Sequence, residues 1–150
     1  MPMRSAFHFA PVAAALVLFA GVAQAIDFRS VNEPAILYDA PSVQAKRLFI
    51  IAPGTPVEVV VVLDKWVKVR DPNGSLSWIE ARQLANTRTV LVSSERAIAR
   101  RSPDEAAAVA FEAVKDVVLE LTGSASNGWV SVRHRDGASG YLRVTDVWGL

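Results

Sequence analysis

Few residues in this chain could do acid-base or nucleophilic chemistry. Histidine occurs at His8, just before an N-terminal apolar stretch, and at His134. Ser131, His134 and Asp136 are the residue types of a nucleophilic triad within six positions. In an extended strand, however, Ser131 and His134 project to opposite faces, so nucleophile and base do not meet. The carboxylates Asp71, Asp104, Glu105 and Asp136 fall in turns or at a helix-cap-like signal, where Asp bonds nearby backbone. Nothing in the sequence places two of them across a cleft, as glycoside hydrolysis requires. Cysteine is absent, which removes thiolate nucleophiles, Cys-ligated metals and disulfides. One histidine beyond the leader cannot make a His-rich metal site. The expectation is a non-enzymatic protein with no cofactor and no metal.

Aromatic residues carry the stronger signal. Trp66-Val67-Lys68-Val69-Arg70 alternates strictly, so a strand here points Val67 and Val69 to one face and Trp66, Lys68 and Arg70 to the other. If the valines fill a core, Trp66 lies outside it, where a large apolar ring usually has a partner. Trp129-Val130-Ser131-Val132-Arg133 places Trp129 in the same way. Two uses fit both tryptophans: contact with a ligand, or packing against a neighbouring unit or loop. Trp78 and Tyr141 each follow a turn at a strand start, a position that favours partial burial in the core.

The elements that hold these residues come from one pattern used twice. Trp66 to Arg70, then Gly74, then Trp78-Ile79 returns 63 positions later as Trp129 to Arg133, Gly137 and Tyr141-Leu142. Upstream, Ala35-Ile36 with Pro41 matches Ala97-Ile98 with Pro103. A period near 60 residues is the length of a minimal domain, so the pattern implies two domains in series. Val57 to Leu63 reads as a β-branched strand, and Asp71-Pro72-Asn73-Gly74 and Arg135-Asp136-Gly137 read as hairpin turns. Arg88 to Val92 is expected to close the first unit as its last strand. Ser102-Pro103-Asp104-Glu105 has the composition of a helix start. The matching segment Lys46 to Ala52 runs into Pro53-Gly54, which a helix does not tolerate. The repeat therefore takes precedence, and the region is expected to hold at most one turn before an extended Val109 to Val114. The expected fold is all-β: two tandem five-stranded barrels, at residues 26–92 and 93–150, after a leader at residues 1–25.

Leu37-Tyr38-Asp39-Ala40-Pro41, the Trp66 strand, Gly74 followed by Trp78-Ile79, and the terminal Val147-Trp148-Gly149-Leu150 resemble the bacterial SH3-like domains of exported proteins. The resemblance covers most of residues 30 to 150. It implies compact barrels that bind peptides or cell-wall material. It also implies that Trp66 lines a ligand groove with Tyr38 on the opposite wall. The ligand-binding set expected is Tyr38, Trp66, Trp78, Trp129 and Tyr141.

Arg4, the apolar run Phe9 to Val22 and Ala23-Gln24-Ala25 have the order of a cleaved export signal, with the mature chain starting at Ile26. A periplasmic or secreted location follows. Across the chain, 16 Lys and Arg face 15 Asp and Glu, and removing the leader takes away only Arg4, leaving a formal charge of zero. That balance is a poor footprint for nucleic acid. No later apolar run is long enough to span a bilayer. The expected partner is a peptide, peptidoglycan or an envelope protein. The alternative is a structural adaptor whose aromatics are buried in protein-protein assembly.

Overall fold

The computed structural model of the protein describes residues 1–2 and 25–150. The export signal expected at the N-terminus lies almost wholly outside the described residues. From Asp27 onward the chain is built of strands. The first seven are β1 (Asp27–Val31), β2 (Ala35–Tyr38), β3 (Arg47–Ile51), β4 (Pro56–Val62), β5 (Trp66–Arg70), β6 (Leu76–Glu80) and β7 (Leu84–Ala85). The next seven are β8 (Thr89–Val92), β9 (Arg96–Arg100), β10 (Val109–Val114), β11 (Val118–Leu121), β12 (Trp129–Arg133), β13 (Ser139–Arg143) and β14 (Val147–Trp148). Their orders are β3-β2-β6-β5-β4-β1-β7 and β10-β9-β13-β12-β11-β8-β14, the same topology written twice.

Two sequence expectations need correction. Each unit is a seven-stranded sheet rather than a five-stranded closed barrel, and its outermost strands are not hydrogen-bonded to each other. The strands missed are β1 and the two-residue β7, which pairs with it through Ser30–Ala85 and Val31–Leu84. Thr89–Val92 does not close the first sheet. It pairs with β11 and β14 in the second. Its apolar side chains Val90 and Val92 are wholly buried with Val130, Val132 and Leu142, so core membership, not adjacency in sequence, sets its sheet.

The alternation predicts burial as observed. Val67 and Val69 are fully buried with Leu37, Val57 and Ile79, and Val130 and Val132 occupy the same places in the second core. Asp71 holds the β5–β6 turn by accepting the Asn73 and Ser75 backbone N–H groups at 2.9 and 3.0 Å, while Gly74 supplies φ of +87°. Residues 102–108 form no helix. Asp104 accepts the Ala106 N–H at 2.8 Å in a local turn, and β10 then pairs with β9, so tertiary pairing overrides helix propensity.

The two units also touch. Phe28 of β1 stacks edge-on against Trp148 of β14 with centroids 5.0 Å apart, and the Arg88 guanidinium lies 5.7 Å from the Phe28 ring centre. Thr89 Oγ1 donates to the Gly54 carbonyl at 2.7 Å. Gly149, at φ of +113°, brings its backbone so close that an added Cβ would meet Pro56 Cβ at 3.1 Å.

Candidate functional site

In the first unit, register assembles the aromatics. Lys68 pairs with Trp78 across β5 and β6, and Tyr38 pairs with Trp78 across β2 and β6. Directly paired residues share a face, so Tyr38, Trp66, Lys68 and Trp78 lie together on the face opposite the valine core. A bulge in β3 beside Tyr38 interrupts the pairing at that point, and β10 bulges at the equivalent place. Tyr38 and Trp66 meet edge-to-face with centroids 5.3 Å apart, and Lys68 Nζ stands 5.9 Å from the Trp78 ring centre.

Tyr38 is therefore not the far wall of an open groove. It is 5% exposed and supports Trp66, whereas Trp66 and Trp78 remain half-buried and present ring surface outward. The result is an aromatic platform with a cation at its edge. It can stack flat or apolar ligand groups and offer one charged donor.

The second unit repeats the platform with altered chemistry. Trp129 pairs with Arg143, Ser131 with Tyr141, and Tyr141 with Arg100. Trp129 and Tyr141 thus occupy the places of Trp66 and Trp78, Arg100 that of Tyr38, and Arg143 that of Glu80. Trp129 is 7% exposed, covered by the Arg143 guanidinium 4.2 Å from its ring centre. The β11–β12 connection is longer than its counterpart Leu63-Asp64-Lys65 and folds across the face. An added Cβ at Gly123 would come within 2.6 Å of Ser131 Oγ. A cavity of about 150 Å³ remains, lined by Pro103, Ser126, Trp129, Ser131 and Tyr141 among others.

Sequence reading missed Arg100, Arg143 and Glu105. Arg100 lies on β9, one strand in from the edge, and its guanidinium is largely covered. Comparing the copies position by position through Tyr38 and Glu80 would have found both arginines. It also missed two clefts that share His134 and Arg135, one of about 320 Å³ on the second unit and one of about 510 Å³ that reaches Pro53 and Gly54 of the first. His134 sits 3.0 Å from Asp136 on the hairpin tip, and Ser131 lies away from it on the platform, so the triad types are not assembled. Asp136 accepts the Ala138 N–H at 2.9 Å, and this bond, then the His134 contact, holds its carboxyl below the usual range. Among the described residues no group of three or more His, Asp or Glu could hold a metal, and no helix is long and apolar enough to cross a membrane.

Comparison with known proteins gives one family. The bacterial SH3 domain model matches residues 31–86 and again 93–149. No curated protein matches. Among solved structures, NlpC2 from Trichomonas vaginalis is similar at 13% identity over 83% of this chain and 48% of that one, with a TM-score of 0.39. NlpC1 from the same organism is similar at 14% identity, covering 92% and 51%, with a TM-score of 0.38. An NlpC/P60 family protein from Bacillus cereus is similar at 20% identity, covering 81% and 56%, with a TM-score of 0.38. The chain spans about half the length of these proteins.

Proposed function

The chain belongs to the bacterial SH3 domain family, which it carries in two copies, and we propose that it is a non-enzymatic binding protein of the cell envelope that contacts peptide or peptidoglycan through its aromatic platforms. The observation that carries this reading is the repetition of one aromatic face, off the core, in both sheets. Trp66 and Trp78 sit in the first, Trp129 and Tyr141 in the second, each fixed by the same register. Trp66 and Trp78 are half-buried and still present ring surface outward, which suits a contact face, and stacking plus a few polar contacts is how small modules bind extended ligands. The peptidoglycan part rests on the family resemblance. The envelope location rests on the leader-like residues 1–25.

Co-sedimentation with purified peptidoglycan tests the reading. Wild-type protein should pellet with the wall material, and Trp78→Ala should not, while staying folded with a melting temperature lowered by no more than about 8 °C, because Trp78 is half-buried like Trp66. A Trp78→Ala protein that folds and pellets like wild type would overturn it.

A second reading, an adaptor for protein-protein assembly, is favoured by a different observation. β3 is an outermost strand, and its Leu48, Phe49 and Ile50 are 38, 46 and 72% exposed, with no acidic residue in the strand. Such an edge is a template for strand addition by another chain.

A further inference from the structure

Three substitutions between the copies change together and turn one platform into a different receptor. Where the first unit has Tyr38, Glu80 and Val43, the second has Arg100, Arg143 and Glu105. Glu80 is held by Arg82, whose Nε donates at 2.8 Å, and Val43 is exposed and makes no polar contact. In the second unit Glu105 reaches back from the 101–108 loop. Arg143 donates through Nε to its Oε1 at 2.6 Å, with Nη2 also 2.6 Å from that oxygen, and Arg100 Nη2 lies 3.9 Å from its Oε2. Arg143 is stacked on Trp129, and Arg100 is braced by donating to the Ala107 carbonyl at 3.1 Å. Two guanidinium groups are thus oriented before any ligand arrives, beside the 150 Å³ cavity whose wall includes Pro103 of the same loop.

We propose that the second platform is a receptor for the free α-carboxylate of a short peptide, and that Glu105 occupies it as a tethered competitor. The inference rests on the reading of the aromatic platforms as ligand-contacting faces. The chemistry is that of a planar guanidinium recognising a carboxylate, with the apolar remainder of the ligand set against Trp129 and Tyr141. Displacement is feasible because Glu105 is itself 61% exposed. An exposed ion pair holds its place by only a few tenths to one kcal/mol. The 101–108 loop, with no helix or strand until Val109, is then the element that moves aside. The first unit lacks all three groups and accepts ligand without this requirement.

The test uses the full chain labelled with nitrogen-15 and two probes, N-acetyl-alanyl-alanine and its C-terminal amide. The acid should shift the Trp129 indole and Arg143 Nε–H signals, and the amide should leave them unmoved. Glu105→Gln should bind the acid about 2- to 5-fold more tightly, the range set by losing an exposed ion pair. Arg143→Lys, which keeps the charge but loses the fork, should bind it several-fold more weakly. Equal shifts from acid and amide would overturn the carboxylate assignment and leave the platform as a ligand face. Acid-specific shifts with unchanged affinity in Glu105→Gln would overturn the competitor. No Trp129 shift from either probe, in a protein whose peptidoglycan binding still depends on Trp78, would overturn the receptor while the functional reading stands.

Discussion

Replacing Trp66 by alanine separates a platform residue from a core residue, because its neighbour Val67 faces the other way. Val67 is fully buried, and Val67→Asp places a charge there with no partner, a cost of several kcal/mol against a typical domain stability of about 5 to 15. That variant should lose its cooperative transition. Trp66 is half-buried and leans edge-on against Tyr38 at 5.3 Å. Full burial of an aromatic is worth about 3 to 5 kcal/mol on truncation, so Trp66→Ala should cost roughly half, about 2 kcal/mol. In a folded body of this length that is a fall of about 8 °C in melting temperature. The protein should stay folded at room temperature while peptidoglycan binding drops about 30-fold or more, as for an aromatic hot spot of 2 kcal/mol. Calorimetric melts and sedimentation of the two variants give both numbers. Loss of the transition in Trp66→Ala would mean that the indole is a core element. Loss of under about 0.5 kcal/mol would mean that it does not pack on Tyr38.

Gly149→Ala should destabilise by about 1 to 3 kcal/mol in a denaturant melt, because it forces a side chain into positive φ against Pro56 of the other unit. Ile50→Lys should change stability by no more than about 0.5 kcal/mol. It should abolish co-purification of a protein partner if the adaptor reading holds, with wall binding intact. Asp136 contributes stability above the ordinary carboxylate range because its folded pKa is lowered. That contribution is lost as pH falls through the lowered value, so Asp136→Asn should flatten the acid limb of a melting-temperature profile below about pH 4. Intact mass of the exported protein should correspond to a chain beginning at Ile26.

Side-chain alternation alone makes the core legible in the sequence. Val67, Val69, Val130 and Val132 are buried where the period of two puts them, because a strand offers only two faces. The self-comparison was equally reliable against the helix signal at Ser102, since the two copies bury their chains in one topology. Strand membership was less legible. Arg88 to Val92 joins the sheet after it, and nothing local in five residues says which core will take Val90 and Val92. β7 and β14 are two residues long and exist only through pairing with β1 and β8.

At the platform, sequence placed Trp66 off the core but could not say how far Tyr38 would sink beneath it, which depends on the β3 bulge and the β2–β6 pairing. Trp129 looked equivalent to Trp66, yet the longer loop and Arg143 cover it. Glu105 read as a turn or cap residue, because its partners come from β9 and β13, 5 and 38 positions away along the chain. The junction of the units rests on single residues at the ends of the repeat, Phe28 and Trp148, whose meeting no internal spacing announces.

The four tryptophans report four places at once: Trp66 and Trp78 on the first platform, Trp129 on the second, and Trp148 at the junction. Titrating the nitrogen-15-labelled full chain with soluble peptidoglycan fragments and following the four indole N–H signals tests the binding account most directly. The account predicts that the Trp66 and Trp78 signals move in a saturable way and that Trp148 stays fixed. Saturable movement of Trp148 alone, or of none of the four in fragments that demonstrably bind, would contradict it.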